Sequence, residues 1–384
     1  MQKILKMKNS FNPFIIKGYL SKEYFCDREK ELNILLRNSQ NGSNTTLISP
    51  RKMGKSGLIF RFFEDLEVEK PLQSIYVDIY SSRSLKDFIK LMAEAILQKF
   101  PEKSAIGKKF MKLLKGLRPL ISFNPLTGVP QIQIEFQSSQ EINYTLQGLF
   151  TFLEEQNTPI IIAIDEFQQI AEYPEKNVEA LLRTYIQQLK NIHFIFCGSN
   201  KSMMTEMFSS ANRPFFAGAR LLYLDKLENS SYKPFISNHF EINKRQIKDD
   251  ALEAILSSTK SHTYYTQNLC NYIFSMGAKM IDVDVIKSAM AEILRENESF
   301  FFQYRQLLTP DQWNFMIAVA KENEVSQVTA QKFISKYHIG SPANSRRILK
   351  SLIEKELILE NTSIEKSSYQ IYDVFLSRWL ETKY

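Results

Sequence analysis

The chain has 384 residues, 44% of them hydrophobic and 24% charged, a length that admits two or three domains and a balance that excludes general disorder. Its three cysteines and four histidines are scattered, which excludes a disulfide framework and a clustered His/Cys metal site. The formal charge of +7 permits an acidic partner such as nucleic acid, while the absence of a signal-peptide-like or membrane-length apolar run points to a reduced, cytoplasmic setting.

In chain order, REKELNILLRN at 28–38 places Leu32, Leu35 and Leu36 on one helical face. TTLIS at 45–49 reads as a short buried strand, which runs through a loop into an apolar helix from Lys55. QSIYVDIYSS at 73–82 is a second strand, followed by a helix through LKDFIKLMAEAILQKF. The stretch 101–120 carries Lys103, Lys108, Lys109, Lys112, Lys115 and Arg118 against one acid, Glu102. It suits either a solvated helix face or a phosphate contact. A hairpin near 119–136 turns at Asn124-Pro125-Leu126-Thr127-Gly128. A helix at 141–156, strand PIIIAIDEF, a helix at 176–190, strand HFIFCGS at 193–199 and strand RLLYLDKL at 220–227 complete this part.

Strands in continuous apolar runs, alternating with helices, indicate a parallel sheet covered on both faces. The expected fold is therefore α/β over 1–227, followed by a helical lid over 228–300. Three helices at 309–321, 326–336 and 342–355, with a terminal hairpin, have the order of a winged helix-turn-helix over 301–384. Linkers are expected near 228 and 300.

The chemistry begins at ISPRKMGKSG. A phosphate-cradling loop needs inward N–H groups, a lysine for the outer phosphates and a hydroxyl for Mg²⁺. Gly54, Lys55 and Ser56 supply the last glycine, the lysine and the hydroxyl at a helix start, where the dipole favours an anion. Ser49 stands where the first glycine of the pattern belongs, and Pro50 after it can still make a tight turn. The candidate loop comprises Ser49, Pro50, Arg51, Lys52, Met53, Gly54, Lys55, Ser56 and Gly57. Asp165 and Glu166 end the Ile-rich strand, where ligands bind in open α/β sheets. Asp165 is expected to share the Mg²⁺ with Ser56, and Glu166 to polarise the attacking water. Ser199 and Asn200, at the tip of a strand between the two phosphate-contacting strands, are placed to hold that water or to sense the γ-phosphate.

This order of parts resembles the archaeal-type ATPases of the AAA+/STAND P-loop class, relatives of origin-recognition and helicase-loader ATPases that also occur in bacteria. NPFIIKGYLSKEYFCDREKEL resembles that family's entry segment, which packs around adenine and implies Phe25, Cys26 and Arg28 near the base. NPLTG and RPFFAGARLLYLDKL also resemble family features. The resemblance implies ATP as substrate and a homo-oligomer in which Arg220 or Arg213 reaches a neighbour's nucleotide, and the expected role is a slowly hydrolysing, Mg²⁺-ATP-dependent switch. KSHTYYTQNLC resembles the lid segment, with His262 where loader ATPases carry a nucleotide-sensing arginine. The missing glycine leaves a second reading open, a degenerate scaffold carrying a winged-helix regulator.

In the winged-helix segment Ser341 and Pro342 cap SPANSRRILKSLIEKEL. Ile348, Leu349, Leu352 and Ile353 then face a core, with Arg346, Arg347 and Lys350 outside and Lys366 in the wing. From 309 to 384 there are 10 Lys/Arg and 9 Asp/Glu, about +1 net. Duplex DNA and a docking protein both remain readings of that face.

Overall fold

A computed structural model describes residues 11–69, 72–115, 119–134, 136, 138–156, 158–362 and 367–384. Arg118 and Lys366, both given roles above, lie outside these residues. The backbone divides into two units, Gly18–Lys226 and a second that joins the N-terminal segment through Lys17 to Leu227–Tyr384.

The first unit opens with α1 (Glu29–Gln40), β1 (Thr45–Ile48), α2 (Lys55–Glu69), β2 (Gln73–Asp78) and α3 (Leu85–Lys99). The lysine-rich stretch forms α4 (Ala105–Lys115) and leads into the hairpin β3 (Leu120–Phe123) and β4 (Pro130–Gln133). Then come α5 (Ser139–Glu154), β5 (Ile160–Asp165), α6 (Val178–Ile186), β6 (Ile192–Gly198), α7 (Lys201–Ser209) and β7 (Arg220–Tyr223). Five of these strands make one parallel sheet in the order β2-β5-β6-β1-β7.

Why such a run becomes a central strand is plain in β5, where every residue is buried. Ile160, Ile162 and Ile164 enter one core with α3, α5 and the rings of Phe194 and Phe196. Ile161 and Ala163 enter the other, with Leu35 of α1 and Leu58 and Phe62 of α2. The two-residue period thus feeds both faces, and each fully buried isoleucine contributes about 1.5–3 kcal/mol as an upper estimate. Phe194 and Phe196 stack with centroids 5.5 Å apart at an interplanar angle of 2°. The register aligns the strand tips: Ile48 with Gly198, and Asp78 with Asp165. All chemistry expected of the loop, the Asp-Glu pair and the polar strand is therefore gathered at one end of the sheet.

The second unit contains α8 (Asn229–Ile242), β8 (Gln246–Ile247), α9 (Asp249–Thr259), α10 (Thr263–Ser275), β9 (Met280–Ile281) and α11 (Val283–Leu307). It continues with α12 (Pro310–Glu322), α13 (Gln331–Tyr337), α14 (Pro342–Glu354), the antiparallel pair β10 (Ile358–Thr362) and β11 (Ser367–Ile371), and α15 (Val374–Lys383). Residue 300 is not a linker, because α11 runs unbroken across it. Phe301 is buried against Trp379 of α15, ring centroids 5.6 Å apart, and Arg378 donates to the carbonyls of Ser257 and Ser258 at 2.8 and 3.0 Å. α13 starts at Gln331, later than the 326–336 expectation. Val325 bridges Tyr369 just ahead of that stretch, and the Val328 carbonyl accepts the buried Ser345 hydroxyl at 2.6 Å.

The N-terminal segment is held in this unit. Asn12 donates to the Asn271 carbonyl at 2.8 Å and Asn271 donates to the Phe14 carbonyl at 2.7 Å. Phe14, 1% exposed, packs among the rings of His239, Phe240 and Phe274.

Candidate active site

The loop between β1 and α2 shows how the pattern survives without its first glycine. The left-handed positions are Lys52 (φ 64°) and Gly54 (φ 96°), not Ser49. A glycine is therefore required at 54 and not at 49. Ser49 is instead part of the sheet end: it is buried, its N–H donates to the Gly198 carbonyl at 3.3 Å, and its Oγ donates to the Pro50 carbonyl at 3.1 Å. Met53 is buried beneath the loop.

Lys55 opens α2, and its ammonium lies inside the loop, donating to the carbonyls of Ser49 at 3.0 Å and Pro50 at 3.4 Å. It is 6% exposed. Burial pushes its pKa below the ordinary lysine value, opposed by the carboxylates of Glu166 and Asp165. The cation and the acids thus face one another across the strand tips, although β6 lies between their strands.

Ser56 Oγ donates to Asp165 Oδ2 at 2.8 Å, and Tyr76 of β2 donates to the same oxygen at 2.6 Å. The other carboxylate oxygen accepts the Glu166 N–H at 3.0 Å. Ser56 Oγ and Asp165 are hard oxygen donors of the kind Mg²⁺ takes alongside phosphate oxygens, so the pair fits the metal expected there. Among the described residues no group of three or more His, Cys, Asp or Glu side chains could hold a metal, and a loop serine with one carboxylate is the pattern of a metal shared with phosphates.

Glu166 adopts a left-handed backbone (φ 55°, ψ 42°) that turns its side chain out of the strand line. Its Oε2 accepts the Ser199 hydroxyl at 2.7 Å and the Gln168 amide. This arrangement needs Gly198: a Cβ there would stand 2.5 Å from Gln168 Oε1 and 2.3 Å from Met204 Cγ. Of the two polar residues at the tip of β6, Ser199 meets Glu166. Asn200 is exposed and caps α7, its Oδ1 accepting the Met203 N–H at 3.0 Å. On the expectation that Glu166 polarises the attacking water, Ser199→Ala should lower turnover about tenfold with little change in KM, because one hydrogen bond to that carboxylate is lost. Steady-state kinetics checks this, and a KM effect of the same size would contradict it.

The residues expected around the base are placed unevenly. Phe25 lies beside the start of α2, its Cε2 3.3 Å from where a Cβ on Gly57 would stand. Cys26 is buried, and burial pushes its thiol up to about 12. Arg28 is buried and spans fold contacts, donating to Glu31 at 2.8 Å and the Asp225 carbonyl at 2.7 Å. Arg220 is exposed at the first residue of β7, paired in register with Thr45. That is the sheet end away from the loop, so it takes no part in its own site. Arg213 bridges Glu179 at 2.6 Å and Glu206 at 3.8 Å. His262 is buried at the N-cap of α10, beside Tyr265.

Sequence reasoning did not single out Tyr76 or Gln168. The signal for Tyr76 was a phenol between Ile75 and Val77, two positions before the acidic tip of β2.

Comparison with known proteins bears on this geometry. The family described as an ATPase domain predominantly from Archaea matches residues 25–269. The chain belongs to this ATPase family. Residues 299–382 of this family member match a second family, described as a probable winged helix domain. A Walker-type ATPase of Pyrococcus abyssi is similar over 96% of this chain and 99% of its own, at 17% identity and a TM-score of 0.65. The ORC2 protein of Aeropyrum pernix, in its ADPNP–ADP complexes, is similar over 97% and 98% at 13% identity and a TM-score of 0.57. The ORC1 protein of the same organism, in complex with DNA, is similar over 93% and 93% at 13% identity and a TM-score of 0.51. At these identities the likeness carries the fold: an AAA+-type P-loop core with a C-terminal winged helix. No curated protein matches the chain of this ATPase-family member.

Proposed function

We propose that the protein is an Mg²⁺-dependent ATPase that works as a slow nucleotide-controlled switch, with the winged helix as its output. The observation that carries this reading is the convergence of the Lys55 ammonium and the Ser56–Asp165–Glu166 chain of contacts at one end of the sheet. Lys55 holds the outer phosphates while the N–H groups at the start of α2 take the remaining phosphate oxygens. Mg²⁺, when bound, neutralises charge developing between the β- and γ-phosphates. Ser56 Oγ and Asp165 hold that metal, and Phe25 flanks the base. Glu166, fixed through Oε2 by Ser199 and Gln168, keeps Oε1 to take the proton of the attacking water. Titration with a fluorescent ATP analogue tests the reading, and a Kd beyond the millimolar range would return the core to the role of a scaffold.

For the output we favour duplex DNA. Arg346, Arg347 and Lys350 are all exposed on α14, opposite the buried Ser345, Ile348, Leu349 and Leu352. Ser341 caps the helix by accepting the Asn344 N–H at 3.2 Å. Arg347 donates to Asn344 Oδ1 at 2.9 Å, and Lys350 stands 3.9 Å from Glu354 with both side chains well exposed, so all three cations stay accessible. The similar ORC1 protein was solved in complex with DNA. The double variant Arg346→Ala/Arg347→Ala should weaken duplex binding and reduce the slope of log K against log salt by about 2. An unchanged slope in a salt titration would turn the face over to a protein partner.

A further inference from the structure

We infer that Tyr76 is a positioning residue for the metal carboxylate, anchoring Asp165 to a strand that carries none of the phosphate-contacting residues. The inference rests on the Mg²⁺ role proposed above for Asp165 and Ser56.

Among the described residues, three donors reach the Asp165 carboxylate. The Glu166 N–H belongs to its own turn, and the Ser56 hydroxyl belongs to the helix that follows the phosphate loop. Both sit on segments that contact substrate in the proposed reading. The third donor comes from elsewhere: Tyr76 lies on β2, paired in register with Ala163 two positions before Asp165. Its ring is half-buried and packs on Phe60 of α2, centroids 4.7 Å apart at 43°.

Ser56 and Tyr76 share one oxygen, Oδ2. Ser56 Oγ would serve the metal as well as Oδ2, so its position would follow the loop and the ligand bound there. The phenol has no such second duty. It keeps the carboxylate plane fixed as the loop adapts to substrate, which is how groups behind a metal ligand act on affinity. β2 is thereby coupled to the metal without touching it.

The test is Tyr76→Phe, which keeps the ring against Phe60 and removes the hydroxyl alone. Binding of a fluorescent ATP analogue is measured across a Mg²⁺ titration and again in EDTA, with Asp165→Asn in parallel. The Mg²⁺ concentration for half-maximal effect should rise about tenfold or more in Tyr76→Phe, while affinity in EDTA stays within about twofold and thermal unfolding is unchanged. Loss of affinity in EDTA equal to the loss in Mg²⁺ overturns the inference, because the hydroxyl then supports packing. An unchanged Mg²⁺ midpoint in Tyr76→Phe beside a large shift in Asp165→Asn overturns it too, yet leaves the metal site standing. An unchanged midpoint in Asp165→Asn removes the metal reading itself, and the role of Tyr76 with it.

Discussion

Lys55→Met should weaken ATP binding by at least about a hundredfold, equivalent to about 2.8 kcal/mol. The ammonium is the cation enclosed by the loop, and a charge-assisted contact to phosphate in a site closed to water is worth more than the same contact at the surface. A structural effect could mimic this loss, so stability provides the control. Desolvation is the largest influence on Lys55, and it disfavours the charged form. The Glu166 and Asp165 carboxylates and the bonds to the Ser49 and Pro50 carbonyls oppose that cost, so the melting temperature of the nucleotide-free variant should move by only about a few degrees. Equilibrium binding and a thermal scan on the same sample check both halves. Binding within threefold of the parent would end the phosphate-loop reading.

Glu166→Gln should behave in the opposite way, binding Mg²⁺-ATP with nearly parental affinity while turnover drops by about 10²–10⁴. Glutamine preserves the length of the side chain and an oxygen for the Ser199 hydroxyl, so the left-handed turn at 166 keeps its partner. What disappears is the capacity to take a proton. Single-turnover hydrolysis with prebound nucleotide separates this from weak binding. A variant that hydrolyses at the parental rate would move the base to another group or leave water unassisted.

The sheet was readable because its strands are runs that cannot be amphipathic helices. IIIAI is short, apolar throughout and ends in two acids, so burial on both sides and a polar tip follow together. Ser49 was harder. A motif records where glycine usually stands, whereas the requirement is a positive φ, and this loop moves that requirement to Lys52 and Gly54. The contacts of Tyr76 and Ser199 were not legible, because each depends on which strands are neighbours and in what register. The boundary expected near 300 agrees with the winged-helix match from 299, but it falls inside a helix and not in a linker. FFFQY looks like a break in helical patterning, yet Phe301 is buried on Trp379 while Phe300 and Phe302 stay exposed, so one continuous helix satisfies the whole run. The short helices α7 and α15 begin at polar caps, Asn200 and Asp373, and neither helix was among the elements expected from the sequence.

Phe14 has one more consequence, and it concerns synthesis. The amide that holds its carbonyl is 257 positions downstream. At about 5–20 residues per second, roughly 13–50 s pass before Asn271 exists to receive it. Through that interval the sheet unit can condense while the segment around Phe14 is unattached, and its ring docks only as the helices around Phe240 and Phe274 emerge. Such a distant closure is slow by its topology, so the segment around Phe14 can join its unit only after the whole sheet unit, Gly18–Lys226, has been synthesised.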